Sequence, residues 1–195
     1  MNLDPQTPLL SNSWPICQIS GPLTNNLEAR NHTWLKEGSL LFIDSPVGSG
    51  FSYVDDESAY TTTVYEVADD LVDTLGEVSA LLKDKFYGGS TLPPIFVFSE
   101  SYGGKVAPVF GSKIVAAKKK GLLQNVNLGG VAIGDGAVSM LDAGTTYPDM
   151  LFQTSQIDYS DYMWLKHAAN DMETYYNKGD LFISLYYTSN YNYRN

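Results

Sequence analysis

Ser99-Glu100-Ser101-Tyr102-Gly103 is the stretch of this chain whose residue types and spacing could do chemistry. Nucleophilic attack on a carbonyl needs a hydroxyl held above a sheet, with backbone N–H groups aimed at the oxyanion that develops. A sharp strand-to-helix turn supplies both, because the nucleophile takes a strained backbone and the helix amino end lies beneath the charge. Residues two places either side of the nucleophile must then be small, so that strand and helix can approach. Here the pattern is G-x-S-x-G with Ser99 in place of the first glycine, and Gly103 and Gly104 follow Ser101. On pattern alone an ordinary strand-to-helix turn is an equal reading.

The flanking elements favour the chemical reading. Gly88-Gly89 and Pro93-Pro94 break the chain, and the run Ile95-Phe96-Val97-Phe98 predicts a buried strand. After the turn, Val106, Val109, Phe110, Ile114 and Val115 recur at helical spacing as far as Gly121. Lys118-Lys119-Lys120 suits the carboxyl end of that helix, where cations meet the dipole. Strand before and amphipathic helix after point to an α/β-hydrolase elbow with Ser101 as nucleophile. Upstream, residues 39–53, "SLLFIDSPVGSGFSY", predict another fully buried strand followed by a loop. Between the two runs, Val64, Val67, Leu71, Leu75, Val78, Leu81 and Leu82 predict an amphipathic helix over residues 61–86. Residues 126–136 predict a third strand. Strand, helix, strand, helix, strand builds a parallel sheet covered on both faces. Residues 1–30 read as loop, and beyond Asp142 only loose helical spacing appears, through Met150, Leu151, Ile157, Tyr162, Leu165, Ala168, Ala169, Met172 and Tyr176.

The chain has 195 residues, 44% hydrophobic and 17% charged, which suits a globular domain with a sizeable core. Its net charge is 12 − 22 = −10. That balance argues against nucleic acid, whose phosphates require a basic footprint, and against anionic membrane surfaces. Cys17 stands alone, so no internal disulfide is expected. The amino-terminal residues lack a basic start and a long apolar run, so neither a secretory signal nor a transmembrane span is expected in this chain. Asn31-His32-Thr33 is a candidate glycosylation acceptor at Asn31.

Several stretches carry a family resemblance. "FVFSESYGGKVAP" is similar to the G-E-S-Y-A/G-G segment of the serine carboxypeptidases. "SLLFIDSPVGSGFSY" resembles that family's L-x-F-x-D-x-P-V-G-x-G-F-S-Y block, "HTWLKEGSLLFIDSPVG" its Trp-containing lead, and "GVAIGDGAVS" the segment after its third strand. The Ser-Glu-Ser version and the "GPL" start resemble the retinoid-inducible branch. The resemblance implies an acylating nucleophile at Ser101, an oxyanion donor in the N–H of Tyr102, and Glu100 holding the substrate's free C-terminal carboxylate. Such a carboxylate pair shares a proton, so the site would favour acidic pH. Glu100 also suits a helix amino end on dipole grounds alone. The implied substrate is a peptide with a free C-terminus, with no cofactor or metal, and the implied location is secreted or lysosomal/vacuolar.

The family's W-x-x-G-G-P-G segment has no match in this sequence, where "SNSWPICQIS" stands in its place. Its catalytic Asp and His lie well beyond the cap of a longer chain. The expectation is therefore an incomplete α/β-hydrolase: an irregular segment over 1–20, a core fragment over 21–142, and part of a helical cap insertion over 143–195. Such a chain would be inactive alone. The alternatives are a non-catalytic remnant and an acyltransferase of the same family. An internal triad of Ser101 with Asp135 or Asp142 and His167 is formally available. However, His167 falls within a helical pattern, Asp135 reads as a turn residue, and His32 sits in a polar turn. "GVAIGDG" lacks dinucleotide spacing, and no clear helix is expected directly after it.

Overall fold

The computed structural model describes residues 22–24, 26–89 and 91–180. They divide into two compact units, one on either side of the Gly136–Ala137 junction. Cys17, the rest of residues 1–21 and the Tyr-rich stretch from 181 onward lie outside the described residues.

The first unit is built on helix α1 (Val64–Phe86), strand β1 (Ile95–Glu100), helix α2 (Gly103–Lys119) and strand β2 (Leu128–Gly134). A capping box starts α1. The Thr63 hydroxyl accepts the Glu66 N–H at 3.2 Å, and the Glu66 carboxylate accepts the Thr63 N–H at 2.9 Å and the Thr62 N–H at 2.7 Å. The backbone N–H of Thr62, then that of Thr63, hold the Glu66 carboxyl below the usual carboxylate range. Val67, Ala68, Leu71 and Leu75 on one face of α1 meet Val106, Phe110 and Ile114 of α2 and Val126 in the main core. Their spacing is that of a single helical stripe, as the sequence predicts. Leu81 of α1 and Val115 of α2, which the same spacing placed on the apolar faces, are instead 48% and 45% exposed.

The two strands run parallel, with α2 as the crossover between them. Val97 pairs with Val131 and Ser99 with Ile133, and Gly111 brings the α2 backbone close to β2, where a β-carbon would fall 2.9 Å from Val131 Cγ2. Only one face of β1 is covered. Ile95, Val97 and Ser99 are half-buried, whereas Phe96 and Phe98 are 56% and 55% exposed. The expectation of a strand buried on both faces is thus corrected. Phe98 meets the edge of Trp34 at a centroid distance of 4.7 Å.

The run over residues 39–44 forms no strand either. An apolar stretch becomes a strand only when a neighbour takes its N–H and C=O groups, and the described sheet consists of β1 and β2 alone. Ile43 instead packs on the core, and Asp44 is buried and closes the loop that follows. Its carboxylate accepts the Phe51 N–H at 2.8 Å, and the Ser52 hydroxyl donates to its carbonyl at 2.8 Å. Gly50, at φ +55°, passes so near that a β-carbon would lie 2.1 Å from Asp44 Oδ2.

The second unit is a helical pair, α3 (Met140–Gln153) and α4 (Tyr159–Asn177). A helix therefore does follow β2 within a few residues, where none was expected. Ser139 caps α3 by accepting the Asp142 N–H at 3.2 Å, and Asp158 caps α4 by accepting the Asp161 N–H at 2.9 Å. Leu165, Ala168, Ala169 and Met172 form the buried face of α4. A β-carbon on Gly144 would sit 2.4 Å from Met172 Cε, so the two helices approach closely there. Tyr162 donates to Asp149 at 2.9 Å and Lys166 to its other oxygen at 3.1 Å. Lys166, then Tyr162, hold the Asp149 carboxyl below its usual range, and Asp149 raises the Tyr162 phenol. No described helix is long and apolar enough to cross a membrane.

Candidate functional site

β1 ends at Glu100 and α2 begins at Gly103, so the whole change of direction falls on Ser101 and Tyr102. Ser101 takes φ +53°, the left-handed region that costs a side-chain-bearing residue about 1–2 kcal/mol. Tyr102 is already helical at φ −57°, ψ −30°. The Ser101 N–H donates to Gly134 O at 3.1 Å, tying the bend to the end of β2. Its carbonyl accepts the Gly104 N–H at 2.9 Å, and the Tyr102 carbonyl accepts the Lys105 N–H at 3.0 Å. Among the described residues, the N–H groups of Tyr102 and Gly103 have no backbone acceptor. They are orphan donors of the first helical turn, beside an exposed serine.

The small residues around the serine are there because the bend is crowded. A β-carbon on Gly103 would fall 2.7 Å from the Cβ of Ser99, and Gly104 is buried. The Ser99 hydroxyl is buried without a hydrogen-bond partner among the described residues. Glu100, the last residue of β1, pairs in register with Gly134 and is exposed. Serine, carboxylate and free N–H donors thus stand together at the carboxyl edge of the sheet. The sequence signalled each of these except Gly103 as a donor and Gly134 as the anchor. The first could have been read from helix geometry, whereas the second depends on strand register.

The remaining candidates are placed separately. Asn31 and His32 are exposed in the bend before the short turn Trp34–Lys36, and Lys36 donates to the Asn31 carbonyl. Asp135 sits just after β2 at φ +43°, as a turn residue does. Asp142 lies in the first turn of α3, and His167 is exposed on α4 in the second unit. Among the described residues no group of three or more His, Cys, Asp or Glu side chains could hold a metal ion.

The profile of the serine carboxypeptidase family matches residues 17–191. This chain belongs to the serine carboxypeptidase family. It is 35% identical over 161 residues to the human (Homo sapiens) retinoid-inducible serine carboxypeptidase, covering 82% of this chain and 34% of that protein. It is 39% identical over 145 residues to serine carboxypeptidase-like 51 of Arabidopsis thaliana, covering 72% of this chain and 30% of the relative. The chain thus spans about a third of the length of these curated relatives. Among solved structures it is similar to Kex1(Δ)p, a prohormone-processing carboxypeptidase from Saccharomyces cerevisiae. There the TM-score is 0.63 at 23% identity, covering 87% of this chain and 40% of that one. The fold is accordingly that of the α/β-hydrolase carboxypeptidases, seen here as a short parallel sheet with its helices.

Proposed function

We propose that Ser101 is the acylating nucleophile of a serine carboxypeptidase site acting on peptides with a free C-terminus. The observation that carries this reading is the left-handed Ser101 between β1 and α2, beside the free N–H of Tyr102. Attack by Ser101 Oγ on the last peptide carbonyl forms the Oγ–C bond and places negative charge on the carbonyl oxygen. The Tyr102 N–H stabilises that charge; the C–N bond then breaks, the base that took the Oγ proton passes it to the departing amino group, and water hydrolyses the acyl-serine left behind. Glu100, exposed at the same edge, receives the substrate carboxylate and shares a proton with it, which sets an acidic working range. The location that goes with this activity is secreted or lysosomal/vacuolar, and Asn31, exposed, is the glycosylation acceptor.

The hydroxyl also needs a base, and the imidazoles of this sequence are His32 and His167, neither of which matches the family histidine. The 195-residue chain alone therefore turns over peptides negligibly. A fluorophosphonate ester tests the nucleophile without requiring turnover. Slow modification mapped to Ser101 by mass spectrometry, accelerated by added imidazole and lost in Ser101→Ala, is the expected result. Modification elsewhere overturns the assignment. Turnover of blocked dipeptides that disappears in both Ser101→Ala and His167→Ala would instead establish an internal triad.

A further inference from the structure

The carboxyl end of α2 and the start of β2 border an open groove of about 300 Å³, lined by Ile114, Val115, Lys118, Lys119, Asn127 and Leu128. It lies at the opposite edge of the sheet from Ser101. Leu128 opens β2 and pairs with Ile95, the first residue of β1, whereas Ser101 follows the last. At about 3.3 Å per residue, the length of β1 separates the two places by about 20 Å. Ile114 is fully buried beneath the groove, and Leu128 and the 45%-exposed Val115 make its walls apolar.

Two ammonium groups border this apolar surface in a chain of net charge −10. Helix capping does not occupy them. The Ala116 carbonyl accepts the Lys120 N–H at 3.2 Å, the Ala117 carbonyl the Leu122 N–H at 3.0 Å, and the Lys118 carbonyl the Gly121 N–H at 3.1 Å. Gln124 Nε2 also donates to the Lys118 carbonyl at 3.1 Å. The ion pairs among the described residues, Lys113–Asp69 and Lys166–Asp149, involve neither lysine. The groove therefore combines uncommitted cations, the Asn127 side chain and an apolar wall.

We propose that it binds an apolar carboxylate: one anionic head held by Lys118, Lys119 and Asn127, with a short alkyl body against Val115 and Leu128. A volume of about 300 Å³ is at the small end of ligand pockets and suits a medium-chain acid. The attraction between head and lysines is charge-assisted and screened by salt.

Calorimetric titration of the 195-residue chain with octanoate, at low and high salt, tests this. One-to-one saturable binding, weakened by salt, is expected. The double variant Lys118→Gln/Lys119→Gln should weaken it about fivefold or more, as loss of charge-assisted contacts does. Asn127→Asp, which puts a carboxylate into the groove, should abolish it. Lys120→Gln removes the same charge from the same run outside the groove and should leave binding unchanged, with circular dichroism confirming the fold of each variant. Absence of saturable binding overturns the proposal, as does equal binding of 1-octanol or an equal loss in Lys120→Gln. Preference for an acidic peptide over octanoate overturns it too.

Discussion

Ser99 and Gly103 face each other across the bend that carries Ser101, so close that a β-carbon on Gly103 would lie 2.7 Å from Ser99 Cβ. Only one of the two positions can bear a side chain. Gly103→Ala alone should destabilise the unit by about 1–3 kcal/mol, the usual cost of overpacking. In a Ser99→Gly background the same change should cost much less, because the space is then vacated. Urea unfolding of the four proteins gives the coupling, and additive effects would contradict the contact.

The buried hydroxyl of Ser99 has no partner among the described residues, and its solvation is lost on folding. Ser99→Ala should therefore leave stability unchanged or raise it by about 1 kcal/mol. A clear loss of stability on urea unfolding would show that the hydroxyl is satisfied after all.

Ser101 holds φ +53°, which a glycine adopts without steric cost. Ser101→Gly should stabilise the chain by about 1 kcal/mol, whereas Ser101→Ala should not. Equal effects of the two variants on the urea midpoint would indicate that the bend carries no strain.

The Glu66 carboxyl is held below its ordinary range by the Thr62 and Thr63 N–H groups, and that of Asp149 by Lys166 and Tyr162. A depressed folded-state pKa contributes stability above the unfolded value and loses it as pH falls through the folded one. Stability should thus decline as pH drops through and below the usual carboxylate range, less steeply in Glu66→Gln and Asp149→Asn. Tyr162 is shifted the other way by Asp149, so its contribution persists below the ordinary phenol range and is lost at higher pH. Tyr162→Phe should flatten the alkaline limb. A pH profile identical to wild type in all three variants would refute these couplings.

Phe96 and Phe98 project from the open face of β1. Exposed apolar surface of this kind binds apolar dyes and promotes association. Self-association should grow with ionic strength, since salt weakens repulsion between chains of net charge −10. Phe96→Ser/Phe98→Ser should reduce both dye fluorescence and the sedimentation shift. A salt-insensitive monomer without dye binding would contradict this.

Where the governing physics is local, the residues alone determined the outcome. Thr63 and Glu66 are three positions apart, so the capping box and the start of α1 can be read directly. The stripe from Val67 to Leu75, the glycine after the lysines of α2, and the small residues around Ser101 are equally short-range signals. Tertiary structure decided what depends on partners distant in sequence. Residues 39–44 have an apolar strand composition, yet among the described residues no neighbour supplies a ladder, and the segment closes a loop through Asp44 instead. Which face of β1 is covered follows from where α2 lies, and Phe96 and Phe98 look as core-forming in the sequence as Ile95 and Val97 do. The anchoring of Ser101 to Gly134 needs the register of two parallel strands that α2 separates in the sequence. Periodicity specifies a face, but only packing specifies what that face meets.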